Sequence, residues 1–120
     1  MATITKHLLS GSTNGMPVKV VAVASAGTTI HTAVSGTTDM DEIWIWAHNT
    51  STAGCKLTIE WGENTDGDGD ATHIEVTIPP EEGLMQVIPG LILQNGKVVK
   101  AFAATTDVIM LTGFVNRIDY

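Results

Sequence analysis

The chain has 120 residues, with 13 Asp and Glu against 6 Lys and Arg and a formal net charge of −7 at pH 7. That length suits one domain, and so few scattered cations exclude the Lys/Arg surface that releases counterions from a nucleic acid. A single cysteine, Cys55, excludes an intrachain disulfide, and no run approaches the roughly 20 apolar residues of a membrane helix.

In chain order, the opening MATITKHLLSGSTNG has no apolar region long enough for export. With no cysteine pair to oxidise, this fits synthesis in a reducing compartment. Residues 1–14 are polar enough to form an N-terminal arm that orders on binding, ahead of a single domain over 15–120. Strand-like runs then follow at 19–24 (KVVAVA), 28–34, 43–49, 56–61, 72–78, 84–88, 97–103 and 107–118. Turn chemistry separates them at Asn14-Gly15, Ala26-Gly27, 50–54, 62–71, Pro79-Pro80, Pro89-Gly90, Asn95-Gly96 and 104–106. About eight short strands at roughly 8–12-residue spacing predict an all-β fold. The expected architecture is an antiparallel β-sandwich, jelly-roll-like.

The strand EIWIWAHN is apolar on both faces. Side chains alternate across a strand, so Ile43, Ile45 and Ala47 line one side and Trp44, Trp46 and His48 the other. The last strand repeats the pattern, with Val108, Met110 and Phe114 opposite Ile109, Leu111 and Val115. A small sandwich covers only one face of each strand. The second face therefore calls for an arm, a loop or another copy of the chain. Trp44, Trp46, Met110 and Phe114 are the candidate subunit-interface anchors, since buried aromatic residues dominate interface energetics. Trp61, in phase with Leu57 and Ile59, belongs to the core.

Candidate chemistry is sparse. Asp66, Asp68 and Asp70 have the alternate spacing of a calcium loop. The EF-hand pattern fails further on, at Ala71 and Thr77, so the loop reads as a solvated turn with calcium as the weaker alternative. Asp39, Asp41 and Glu42 read as a solvated acidic turn guarding the Trp strand. His7, His31, His48 and His73 lack metal-ligand spacing and read as surface or half-buried imidazoles. Glu60 and Glu75 fall on outward faces of neighbouring strands and read as surface residues. Cys55 has no neighbouring base that would make it a nucleophile, and Asn49-Thr50-Ser51 matches the glycosylation pattern. No catalytic residues are assigned.

The segments ATITKHLLSGSTNGMPVKVVAVASAGTTIHTA and DEIWIWAHNTS…CKLTIEWG, roughly the first half of the chain, resemble the small decoration, or cement, proteins of tailed bacteriophage heads. The resemblance implies a small acidic β protein, often trimeric. It implies a non-catalytic virion component on the capsid exterior that stabilises a lattice of major capsid protein. Other small virion components, of the tail or of head completion, share this composition. A second expectation comes from the tryptophans alone: Trp44 and Trp46 could be the platform of a carbohydrate-binding sandwich, with the 66–70 loop holding calcium.

Overall fold

The computed structural model describes residues 2–62 and 72–120. Among them are nine strands: β1 (Thr3–Leu8), β2 (Val18–Lys19), β3 (Thr28–Thr32), β4 (Met40–Asn49), β5 (Cys55–Trp61), β6 (His73–Ile78), β7 (Met85–Leu93), β8 (Val98–Ala103) and β9 (Ile109–Asp119). One sheet runs β1-β9-β4-β7, with β2 also pairing β9, and the other runs β3-β8-β5-β6. Every ladder is antiparallel. From β3 on, the chain passes from sheet to sheet at every connection except β5–β6. With β1 and β2 serving as one interrupted strand, this is the connectivity of a jelly-roll sandwich.

The alternation in β4 is complete. Asp41, Ile43, Ile45, Ala47 and Asn49 are buried, and the residues between them are half-buried. The inward residues meet Leu57 and Ile59 of β5, Val99 and Ala101 of β8, and Ile109, Leu111 and Val115 of β9 in one continuous core. Fully burying each Ile or Leu of such a core stabilises by about 1.5–3 kcal/mol. This core is complete without the outer face of β4.

Three elements differ from the sequence expectation. The 1–14 segment supplies strand β1, paired with β9 from Thr3↔Asp119 to Leu8↔Phe114, and Leu9 behind it is buried, so it joins the sheet instead of forming a free arm. The expected strand at 19–24 shrinks to Val18–Lys19. Beyond it Val21 and Val23 are exposed, and the chain crosses to the other sheet, where the Ala103 N–H donates to the Ala22 carbonyl at 3.0 Å. Conversely β7 continues through Pro89-Gly90 to Leu93. Proline is tolerated there because β7 is an edge strand, and the register shifts opposite Trp44 and Ile45 absorb the irregularity.

Two carboxylates read as solvated are instead buried. Asp41 is 0% exposed, because the strand begins earlier than expected and puts it in phase with Ile43. Its Oδ1 accepts from Arg117 Nε at 2.7 Å, and its Oδ2 from Arg117 Nη2 at 3.0 Å, His31 Nε2 at 2.8 Å and the Val34 N–H at 3.1 Å. His31 is equally buried. Its Nδ1 accepts the Ser10 N–H at 2.9 Å, so the ring proton sits on Nε2 and the imidazole is neutral. The cluster is thus one carboxylate, one guanidinium and one neutral ring, and it ties β3 of one sheet to β4 and β9 of the other. Glu60 is 1% exposed. It holds the β2–β3 crossing, accepting from the Gly27 N–H at 2.6 Å and Ser25 Oγ at 2.8 Å. Glu75 is exposed, as expected, and pairs with Lys56 at 2.5 Å.

The cluster has a pH signature. Burial pushes the His31 imidazole below its ordinary value of 6.5, against the pull of Asp41. Burial alone would raise the Asp41 carboxyl, but the hydrogen bonds from Arg117 and His31 outweigh it and hold it below 3.8. In both cases the unfolded chain binds the proton more readily, so stability rises with pH. Unfolding midpoints measured from pH 8 downward are expected to hold to about pH 6.5 and then fall as the unfolded histidine protonates. A second loss follows below about pH 3.8, where the unfolded aspartate protonates. His31→Gln should flatten the upper part of that profile; an unchanged profile would refute the assignment.

Candidate functional site

The outer face of the first sheet collects three of the chain's six aromatic residues. Trp44 and Trp46 are two residues apart on β4, and Phe114 of β9 pairs directly with Trp44. The three rings form a triangle, with centroids 6.4, 6.3 and 6.0 Å apart and planes within 16–26° of parallel. Ring pairs at such separations contribute about 0.5–1.5 kcal/mol beyond their area. All three rings are half-buried.

Local sequence creates this geometry. Gly90, at φ +77, lies beneath the Trp44 indole, where an added Cβ would come within 2.6 Å of the ring. Only glycine both accepts that backbone conformation and leaves space for the indole. Gly113 opposite Ile45 does the same for backbone, since a Cβ there would meet the Trp44 carbonyl oxygen.

Polar groups frame the rings. Glu42 Oε1 accepts from Trp44 Nε1 at 2.8 Å and from Asn116 Nδ2 at 3.0 Å. Those two hydrogen bonds, Asn116 first, hold the Glu42 carboxyl below its ordinary value. Lys6 Nζ sits 4.5 Å from the Phe114 centroid, an attraction of about 0.5–1 kcal/mol at an exposed site. Leu8 pairs with Phe114 and Ile4 with Ile118, extending the apolar surface onto β1. Met110 lies in register with His48, near the other end of the face. His48 Nδ1 is buried there with no hydrogen-bond partner among the described residues.

Of the residues singled out from sequence, the fold therefore brings Trp44, Trp46 and Phe114 into contact and sets Met110 on the same face. Trp61 packs half-buried against the core. Asp66, Asp68 and Asp70 lie outside the described residues. Cys55 is buried in the core. Asn49 is buried as well, its amide donating to the Ala53 and Ile78 carbonyls at 2.9 Å each, so the glycosylation pattern is closed by the fold. Among the described residues no trio of His, Cys, Asp or Glu could hold a metal ion, and no helix is long and apolar enough to cross a membrane. Sequence reasoning missed Lys6, Leu8, Glu42 and Asn116 as members of the face. Lys6 and Leu8 sit on β1, and their place follows only from the β1–β9 register, while the β4–β9 register sets Asn116 against Glu42.

No protein-family model, curated protein or solved structure matches the chain.

Proposed function

We propose that the chain is a non-catalytic structural protein that assembles through the aromatic face of its first sheet. In this reading it decorates and stabilises a phage capsid as a homotrimer, with the major capsid protein as its lattice partner. One observation carries the proposal: a finished jelly-roll core leaves a stacked Trp44–Trp46–Phe114 cluster, bordered by Ile4, Leu8 and Met110, on its outside. Clusters of this kind, aromatic and depleted of charge, are the anchors of protein interfaces. The buried ionisable groups His31, Asp41 and Glu60 are committed to holding strands and crossings, a structural use. The acidic charge suits solubility at the high copy number that a lattice demands.

Saccharide binding is the rival, since near-parallel rings also stack on sugars. Against it, the Trp44 N–H and the Asn116 amide are both turned onto Glu42, not outward to a ligand's hydroxyls. Light scattering on the purified protein decides between them. The expected result is a stable multimer whose tryptophan emission ignores oligosaccharides. A monomer whose emission shifts with oligosaccharide would overturn the assembly reading.

A further inference from the structure

The two open edges of the first sheet differ from those of the second. The second sheet ends on β3 and β6, whose exposed side chains are Thr29 and Thr32 on one, Glu75 and Thr77 on the other. The first ends on β1 and β7. All six β1 side chains are exposed, so that strand buries nothing of its own and is held by its ladder to β9. β7 has nine residues and no charge. Exposed apolar side chains cluster on both: Ile4 and Leu8 at one edge, Leu84, Leu91 and Ile92 at the other. Long apolar edges with few charged guards are templates for pairing with another chain; β7 has none and β1 has only Lys6.

The edges are also opposite in charge. Lys6 and Lys19, both exposed, stand on β1 and β2. No Lys or Arg occurs from 79 to 96, and exposed Glu81 and Glu82 lead into β7. Of the two cations, Lys19 lies at the height where β7 begins, whereas Lys6, in register with Asn116, Glu42 and so Ile92, stands near the far end of that strand. Lys19 is in register with Met110 and so with His48, one residue past the Ala47↔Met85 pair at the start of β7. The direction is right as well. β1 runs antiparallel to β9, β9 to β4 and β4 to β7, so β1 is antiparallel to β7, and rotation about an axis along the strands preserves that relation between neighbours.

We propose that copies of this chain join head to tail, the β1–β2 edge of one against the β7 edge of the next, in a closed ring. This rests on the assembly reading above and specifies its joint. A two-fold joint of like edges pairs them antiparallel, which brings Lys6 of one β1–β2 edge toward Lys19 of the other, and on the β7 edge leaves Glu81 and Glu82 with no cation opposite. The head-to-tail joint brings Lys19 to the end of β7 that Glu81 and Glu82 lead into, and such heterologous contacts generate rings when the rotation closes. Pro89 offers no N–H, so the joint divides into a stretch before it and one after it. Ile4 and Leu8 also continue the aromatic face, so every such face in the ring turns the same way and edge and face are buried together.

Charge reversal tests the joint, because Lys19, Glu81 and Glu82 are exposed and the fold should not notice; an unchanged urea midpoint verifies this. Lys19→Glu should raise the dissociation constant of the multimer at least tenfold, read by light scattering across a dilution series. Glu81→Lys/Glu82→Lys should do the same. The triple variant, with both edges reversed, should regain the wild-type mass. If neither variant changes the mass, or only one does, the edge joint is wrong while the assembly reading stands. If the wild-type protein is itself a monomer, the assembly reading falls and the joint with it.

Discussion

Replacing Asp41 with alanine is expected to cost about 3–5 kcal/mol, the range for removing one partner of a buried ion pair. The substitution leaves three donors without their acceptor: Arg117, the His31 Nε2–H and the Val34 N–H. Arg117 can turn part of its guanidinium to water, as its side chain is already 25% exposed. His31, at 1% exposure, cannot. A domain of ordinary size has only about 5–15 kcal/mol of stability in total, so the variant should sit near the edge of folding. Asp41→Asn should recover little, because an amide places a donor where every neighbour is a donor. Glu42→Ala is the control. It is the next residue on the same strand but faces outward, where losing its bonds to Trp44 and Asn116 should cost about 1 kcal/mol. Urea midpoints at constant m-value measure both. If Asp41→Ala costs no more than Glu42→Ala, the cluster does not hold the sheets together.

The contrast between these neighbours also shows what could be read from the chain. Strict alternation made the β4 faces legible: Ile43, Ile45 and Ala47 lie inside and Trp44 and Trp46 outside, as the pattern requires. The same rule, carried two residues further back, would have put Asp41 inside. It was missed because Asp39, Asp41 and Glu42 together look like a solvated cluster, and charge normally stays outside unless paired. Its partners, His31 and Arg117, are 10 and 76 residues away, a separation no local pattern reports. Glu60 failed for the same reason, since the Ser25 and Gly27 that satisfy it come from a crossing read as strand and turn. β7 was cut short at Pro89-Gly90 because a proline ends most strands; only its position at an edge, a property of the topology, lets the ladder pass. β1 escaped notice because a strand with every side chain exposed has no hydrophobic period to detect.

The aromatic face carries the largest functional expectation. Trp44→Ala/Trp46→Ala should dissociate the multimer while the sandwich stays folded. Interface hot spots typically cost at least about 2 kcal/mol each when truncated, and 1.4 kcal/mol is a factor of ten in affinity. The pair should therefore weaken assembly by roughly a thousandfold, enough to turn a stable multimer into monomers at micromolar concentration. The fold should survive because neither ring contributes to the core packed on the opposite side of β4. Trp61→Ala supplies the opposite signature. That ring packs against the core, so its loss should lower the urea midpoint and leave the mass of the folded protein unchanged. The two results together separate a ring that holds the fold from rings that hold a neighbour. If the mass of Trp44→Ala/Trp46→Ala equals that of the wild-type multimer, the aromatic face is not the contact. Assembly would then have to run through the sheet edges alone, where the charge reversals detect it independently.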